Sequence, residues 1–292
     1  MRRRLFDQII FMKVIPAGIT GLMLLLSTII YGQQDSVVNE SAGVEIKFGV
    51  FYNSRLHYLG RVDSLQSSAI FPMAELWLGK EVYISAVPVF INNVVDRFSY
   101  AGTVGTIGYR FSDKRNKFSG NIYFVKPFYK DHSQLVQSAL KSQLSSSFTY
   151  STKPINLTIG GDLRFSEKTD YGAMAGLDHA FRIEAGNNFI LVVNPAAYLY
   201  AGTQKFTRTY YKQRNFLIFP AGEEEITENV NRFSILAYEF SIPVVLAKGK
   251  FQVIANPSYV ILQNLVAEEG QPGLSERGKE LFSFTIGTRI SF

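Results

Sequence analysis

From residue 44 the chain alternates between apolar and polar positions. Val44, Ile46, Phe48, Val50 and Tyr52 are interleaved with Glu45, Lys47 and Gly49. Successive side chains leave a strand on opposite faces, so a period of two predicts a strand with one greasy and one wet face. The same rhythm predicts strands over about 70–79, 81–91, 100–111 and 118–129; the facing of the last is not set by its pattern. A sixth strand carries Leu140, Leu144, Phe148 and Tyr150, although a helix also suits 134–144. Further strands follow over about 155–165, 171–183, 188–201, 233–246 and 251–263. The twelfth holds Phe282, Phe284, Ile286, Thr288, Ile290 and Phe292 on one parity and Ser283, Thr285, Gly287, Arg289 and Ser291 on the other.

The connections divide into two kinds. Gly79-Lys80, 151–154, 184–187 and 247–250 are short, whereas 53–68, 202–232 and 264–280 are long. Short turns alternating with long loops, on strands of 10 to 14 residues, fit the tilted strands of a membrane barrel. The expected fold is all-β: an antiparallel, up-and-down transmembrane β-barrel of about 12 strands, with long extracellular loops and short periplasmic turns. Ten or fourteen strands result if a strand is split differently. A soluble lipocalin-like barrel shares the alternation but calls for fewer, shorter strands.

The last dozen residues form an amphipathic strand ending on an aromatic residue, Phe292. This resembles the terminal strand of Gram-negative outer-membrane β-barrels, which closes the barrel and is read by the insertion machinery. The aromatic richness, long loops and Gln33-Gln34 are similar to outer-membrane barrels of the Bacteroidota. The resemblance implies an outer-membrane location with both termini periplasmic. It also implies contact with outer-membrane lipid and lipopolysaccharide, and with the insertion machinery through Phe292.

At the other end, Arg2, Arg3, Arg4 and Lys13 precede an apolar block over 14–30, then Gly32 and polar Gln33. That is the layout of a secretory signal peptide over 1–32, leaving one barrel domain over 33–292. A membrane anchor is the alternative, weakened by Pro16, Gly18 and Gly21. The chain has no cysteine, so disulfides and thiolate metal sites are excluded. The formal charge of +6 includes +3 from the leader, where four bases face Asp7, leaving +3 for the remainder. That small excess, in a secreted chain, gives no reason to expect a nucleic-acid partner.

With the apolar parity turned to lipid, the inward list contains Glu45, Lys47, Glu75, Arg110, Asp162, Arg164, Asp178, Arg182, Glu239 and Arg289. Acids and bases balance, which fits charges paired across the lumen better than a path selective for one sign. Asp162, Arg164, Asp178 and Arg182 sit on adjacent strands and are the expected core of a charge cluster, with Glu239 and Arg289 as further members. A mutually satisfied network with no transport role fits the same residues. The 202–232 loop is the candidate plug. Its basic, aromatic half includes Lys205, Arg208, Tyr210, Tyr211 and Arg214, which suit glycan, phosphate or an envelope protein partner. Its acidic half offers self-pairing instead.

Of the three histidines, His179 has lipid-facing parity, as in the outer-membrane phospholipase A family. That family needs a serine two positions on, where this chain has Phe181. Asp131-His132 is too small a signal for a protease site, and no metal-ligand spacing or nucleophile elbow is found. No enzyme and no cofactor is expected. The sequence points to a porin-like channel or transporter for small hydrophilic solutes. The alternative is a structural or accessory barrel that binds a partner protein or glycan through its loops.

Overall fold

The structure, a computed structural model, describes residues 43–63, 65–130, 139–185, 189–205, 232–265 and 279–292. The expected leader over 1–32, His132 and most of the 202–232 loop lie outside them. β1 (Val44–Asn53) is followed by a two-residue pair, β2 (His57–Tyr58) and β3 (Arg61–Val62). Then come β4 (Ser68–Leu78), β5 (Val82–Asn92), β6 (Ser99–Ser112), β7 (Phe118–Tyr129), β8 (Ser142–Ser151) and β9 (Asn156–Phe165). β10 (Thr169–Asp178), β11 (Phe181–Ala185), β12 (Phe189–Val193), β13 (Ala196–Gly202) and β14 (Ser234–Ser241) continue the chain. β15 (Val244–Lys248), β16 (Phe251–Leu262) and β17 (Glu280–Ser291) complete it.

Every pairing is antiparallel, and the sheet closes on itself. β17 pairs with β1 from Lys47↔Ser291 to Asn53↔Thr285 and with β16 from Phe251↔Ile290 to Ile261↔Glu280. Running from β17 through β1, β4 to β10, β13, β14 and β16 gives twelve staves. The twelve staves thus form a closed ring, as a sheet in lipid requires, while β11 has β12 as its one strand partner.

β11, β12 and β15 prolong three of those staves. Asp178 faces Ala196 and, three residues on, Phe181 faces Val193, so the register runs unbroken from β10–β13 into β11–β12. The same holds from Ser241↔Ser258 to Val244↔Ala255 along β16. The gaps have one cause. Pro195, Pro243 and Pro257 lie in neighbouring strands at this level, and proline has no N–H to return a ladder bond. The surviving bonds all run toward proline carbonyls: His179 N to Pro195 O at 3.2 Å, Asn194 N to Pro243 O at 2.9 Å and Ile242 N to Pro257 O at 3.1 Å.

Alternation resolves into two surfaces. On the outside, Ile84, Ile107, Phe124 and Leu144 meet in register across β5 to β8, each exposed. Aromatic residues flank this band at both ends. Phe48–Phe292, Phe111–Phe148 and Phe118–Tyr150 lie toward the short turns; Tyr52–Phe284 and Phe90–Phe98 lie toward the long loops. An apolar band between two aromatic girdles is the outer surface of a membrane barrel. β7, whose facing the sequence leaves open, turns Ile122, Phe124 and Phe128 outward and Asn121, Tyr123 and Val125 inward. β8 begins at Ser142, so at 142–144 the strand prevails over the helical alternative.

Candidate functional site: the plugged lumen

The chain between β1 and β4 turns into the barrel. His57 pairs with Val62 and Tyr58 with Arg61, around Leu59 and Gly60 at φ 51° and 82°. Two positive φ values define a tight hairpin tip, and glycine carries the second without strain. Leu56, Tyr58, Leu59, Arg61 and Asp63 are all buried. Asp63 folds the returning arm, accepting from the amides of Leu65 at 2.8 Å and Ser67 at 3.2 Å.

The hairpin bridges opposite walls. Tyr58 Oη accepts from Arg164 Nη1 on β9 at 3.1 Å. His57 Nε2 lies 3.3 Å from Ser283 Oγ on β17, and a Cβ added at Gly60 would strike Leu262 and Val260 of β16. Arg61 donates to Gln204 Oε1 at 2.6 Å, and Gln204 Nε2 in turn to Asn264 O at 2.9 Å, tying the hairpin to the rim. The described plug is therefore residues 54–63 and 65–67. Of the loop expected to fill that role, only its ends are described.

Among the inward charges, Arg164 and Asp162 pair directly, Nε to Oδ1 at 2.5 Å. They lie flat because the wall beneath them is glycine. A Cβ at Gly172 would sit 2.2 Å from Asp162 Oδ2, and one at Gly202 would sit 2.5 Å from Arg164 Nη2. Arg164 Nη2 also donates to Tyr171 O at 3.2 Å. Asp178 stands well below this pair, since Gly172 faces Asp162 whereas Asp178 faces Asn156 at the far end of β9. There it accepts from Asn156 Nδ2 at 2.8 Å. Arg182 is lower still and pairs with Glu184 at 3.3 Å. Glu239 accepts from Ser258 Oγ at 3.0 Å.

Arg289 belongs to a second group, near the short turns. It donates to Gln252 Oε1 at 2.5 Å. Close by, Trp77 is held between Lys47 Nζ and the Arg110 guanidinium, each 4.8 Å from its ring, and stacks on Tyr83 at 4.9 Å. Glu75 accepts from the indole N–H, and Lys47 pairs with Glu45 at 3.0 Å. The charges expected as one cluster thus lie at separate levels of the lumen. The spacing of residues in the sequence shows which face they share but not how far apart the register sets them.

Between the levels, the wall of β7 to β9 is lined with small polar groups: Ser119, Asn121, Ser145, Ser147, Thr149 and Thr158, all buried. Thr149 and Thr158 share a hydrogen bond at 2.7 Å. Ser119 Oγ, Gln143 Oε1, Ser151 Oγ and Asn156 Oδ1 have no hydrogen-bond partner among the described residues. Buried polar atoms left open in this way are met by water or by a ligand. A small cavity of about 20 Å³, enough for one or two waters, opens against this wall beneath the tip of the hairpin.

The other candidates are as follows. Lys205, at the start of the 202–232 loop, donates its backbone N–H to Asp170 at 2.8 Å and its ammonium to Thr169 O at 3.1 Å, with Nζ 5.8 Å from the Tyr171 ring. Arg208, Tyr210, Tyr211 and Arg214 lie outside the described residues. His179 packs edge-on against Phe181 at 4.5 Å. Among the described residues no group of acids and histidines could hold a metal ion.

The closed twelve-stave sheet, its apolar girdled exterior and its polar interior are the architecture of an outer-membrane β-barrel. No family model matches the chain, and no curated protein matches it. Among solved structures, the KdgM porin aligns over 85% of this chain and 99% of its own, at 8% identity and a TM-score of 0.46. An outer membrane channel from Pseudomonas putida F1 aligns over 89% and 99%, at 10% identity and 0.46. LpxR from Salmonella typhimurium aligns over 84% and 99%, at 7% identity and 0.43. Likenesses this distant carry nothing about what this chain does.

Proposed function

We propose that the barrel is a porin-like channel for small hydrophilic solutes, held shut by the 54–67 hairpin, with its short turns and both termini in the periplasm. One observation carries this reading: the lumen wall of β7 to β9, beneath the hairpin, is lined mainly with buried hydroxyl and amide groups. A barrel filled only for stability gains most from apolar packing, whereas this wall keeps buried polar atoms without a partner among the described residues. A path for water and polar solutes accounts for them. The hairpin's hold combines apolar packing of Leu56 and Leu59 with polar contacts of Tyr58, Arg61 and His57, and the polar contacts can be exchanged for water at small net cost. No catalytic role enters this reading.

The test is solute uptake. Lipid vesicles containing the folded protein should swell in small uncharged solutes, and faster when the hairpin is shortened. Because Asn53 pairs with Ala69, a tight turn can join β1 directly to β4. No swelling with either protein would remove the channel reading in favour of an accessory barrel that acts through its loops.

A further inference from the structure

Independently of whether the lumen conducts, we infer that the rim formed by the β6–β7 and β8–β9 turns is a binding site for the headgroup of an anionic phospholipid. Residues 113–117 make the longest turn at this end of the barrel, and they carry Lys114, Arg115 and Lys117. Lys153 stands in the adjoining turn, 152–155. All four bases are exposed, and none of them makes an ion pair among the described residues.

The two turns are held side by side. Ser151 N donates to Lys117 O at 2.8 Å, and next to it Phe118 faces Tyr150 across the β7–β8 ladder. Each turn is also braced from within. Asp113 accepts from the Phe118 amide through Oδ1 at 2.9 Å and from the Asn116 amide through its backbone carbonyl at 2.9 Å. Thr152 Oγ1 donates to Ile155 O at 2.6 Å and accepts from the Ile155 amide at 3.2 Å. Asp113 is the one acid in these two turns, and its carboxylate is committed to the backbone of its own turn. Four positive charges thus stand against one negative charge on a fixed frame.

What lies beside the bases fixes the kind of ligand. Phe118, Phe148 and Tyr150 are exposed on the outer surface just within the turns, with Phe118 and Tyr150 4.9 Å apart and Phe111 edge-on to Phe148 at 5.8 Å. They belong to the aromatic girdle at this end, the level where headgroups give way to acyl chains. Cations at headgroup height next to an apolar strip match a phosphate joined to acyl chains. The charge excess narrows the choice further. A zwitterionic headgroup brings an ammonium that the bases repel, whereas a phosphodiester of an uncharged alcohol brings only its negative charge.

The experiment is native mass spectrometry of the intact, detergent-folded protein with an equimolar mixture of phosphatidylglycerol and phosphatidylethanolamine carrying the same acyl chains. Phosphatidylglycerol should be retained about tenfold over phosphatidylethanolamine at low ionic strength. The double variant Lys117→Gln/Lys153→Gln, with folding confirmed by heat-modifiable migration, should lower the bound phosphatidylglycerol by about tenfold. Lys248→Gln/Lys250→Gln removes the same charge at the β15–β16 turn, across the barrel, and should leave binding unchanged. Equal retention of the two lipids would overturn the proposal, as would an unchanged preference in Lys117→Gln/Lys153→Gln. An equal loss in Lys248→Gln/Lys250→Gln would overturn it in favour of attraction by net charge alone. Full displacement of the lipid by inorganic phosphate would overturn it in favour of a site for the free anion. The two-lipid comparison on the unaltered protein decides the matter even if a variant fails to fold.

Discussion

Arg164 Nη1 donates to Tyr58 Oη at 3.1 Å, joining the tip of the hairpin to a strand 106 residues away. Both side chains are fully buried. The same guanidinium is held by Asp162, so the plug's anchor is a charged group that is already positioned by the wall. This contact sets how firmly the lumen is closed.

Tyr58→Phe keeps the ring and removes the acceptor. Arg164 then loses a buried partner, which costs about 1–3 kcal/mol. The hairpin should open more often, seen as more frequent channel openings with unchanged step size in planar-bilayer recordings.

His57 gives the plug a pH dependence. Burial pushes its pKa down from the ordinary 6.5 to about 4, so the docked hairpin holds it neutral. Its ring contacts include the Ser283 hydroxyl and the Gly60 amide. An undocked His57 takes up a proton near pH 6.5, and a docked one resists until about pH 4. Docking is thus fully favoured above pH 6.5 and is lost progressively as the pH falls toward 4, by up to about 3 kcal/mol. Conductance should rise on acidification through that window. His57→Gln should flatten the response; an undiminished response in that variant would assign the titration to another group.

Gly172 carries no side chain because Asp162 and Arg164 lie across it. Gly172→Val overfills this seat and should cost about 1–3 kcal/mol, read as a lower temperature for loss of heat-modifiable migration. It should also raise conductance, since the displaced Arg164 no longer holds Tyr58.

The outward assignment is tested at Ile107, which sits in the exposed row with Ile84 and Phe124. Ile107→Arg places a charge in the apolar band and should cost about 2–4 kcal/mol near mid-membrane. A neutral effect in urea unfolding from vesicles would mean that this face is not in lipid.

The strands, and the facing of most of them, are readable from residues alone because period two is a local signal; β7, whose pattern leaves its facing open, is the exception. Each of the twelve predicted strands has a counterpart among the staves, and Lys47, Glu75, Arg110, Arg164, Asp178 and Arg289, placed inward on parity, are buried. The plug was not readable in that way. Its contacts link His57 to Ser283 and Tyr58 to Arg164, far apart in sequence, and β2 and β3 are two residues each. A trace was present: Leu56, Tyr58 and Leu59 are large apolar residues in a loop that would otherwise face water, set against Gly60. That Tyr123, Gln143 and Tyr200 come together is not legible for a related reason, since a sequence shows the face a residue takes but not its neighbours across the lumen.

The most direct measurement is single-channel conductance of the intact protein against one in which residues 55–66 are replaced by a two-residue turn. The account predicts rare or small steps from the intact barrel and steps several times larger from the shortened one. Equal conductance in the two, with both shown to be folded, would mean that the hairpin does not close the lumen.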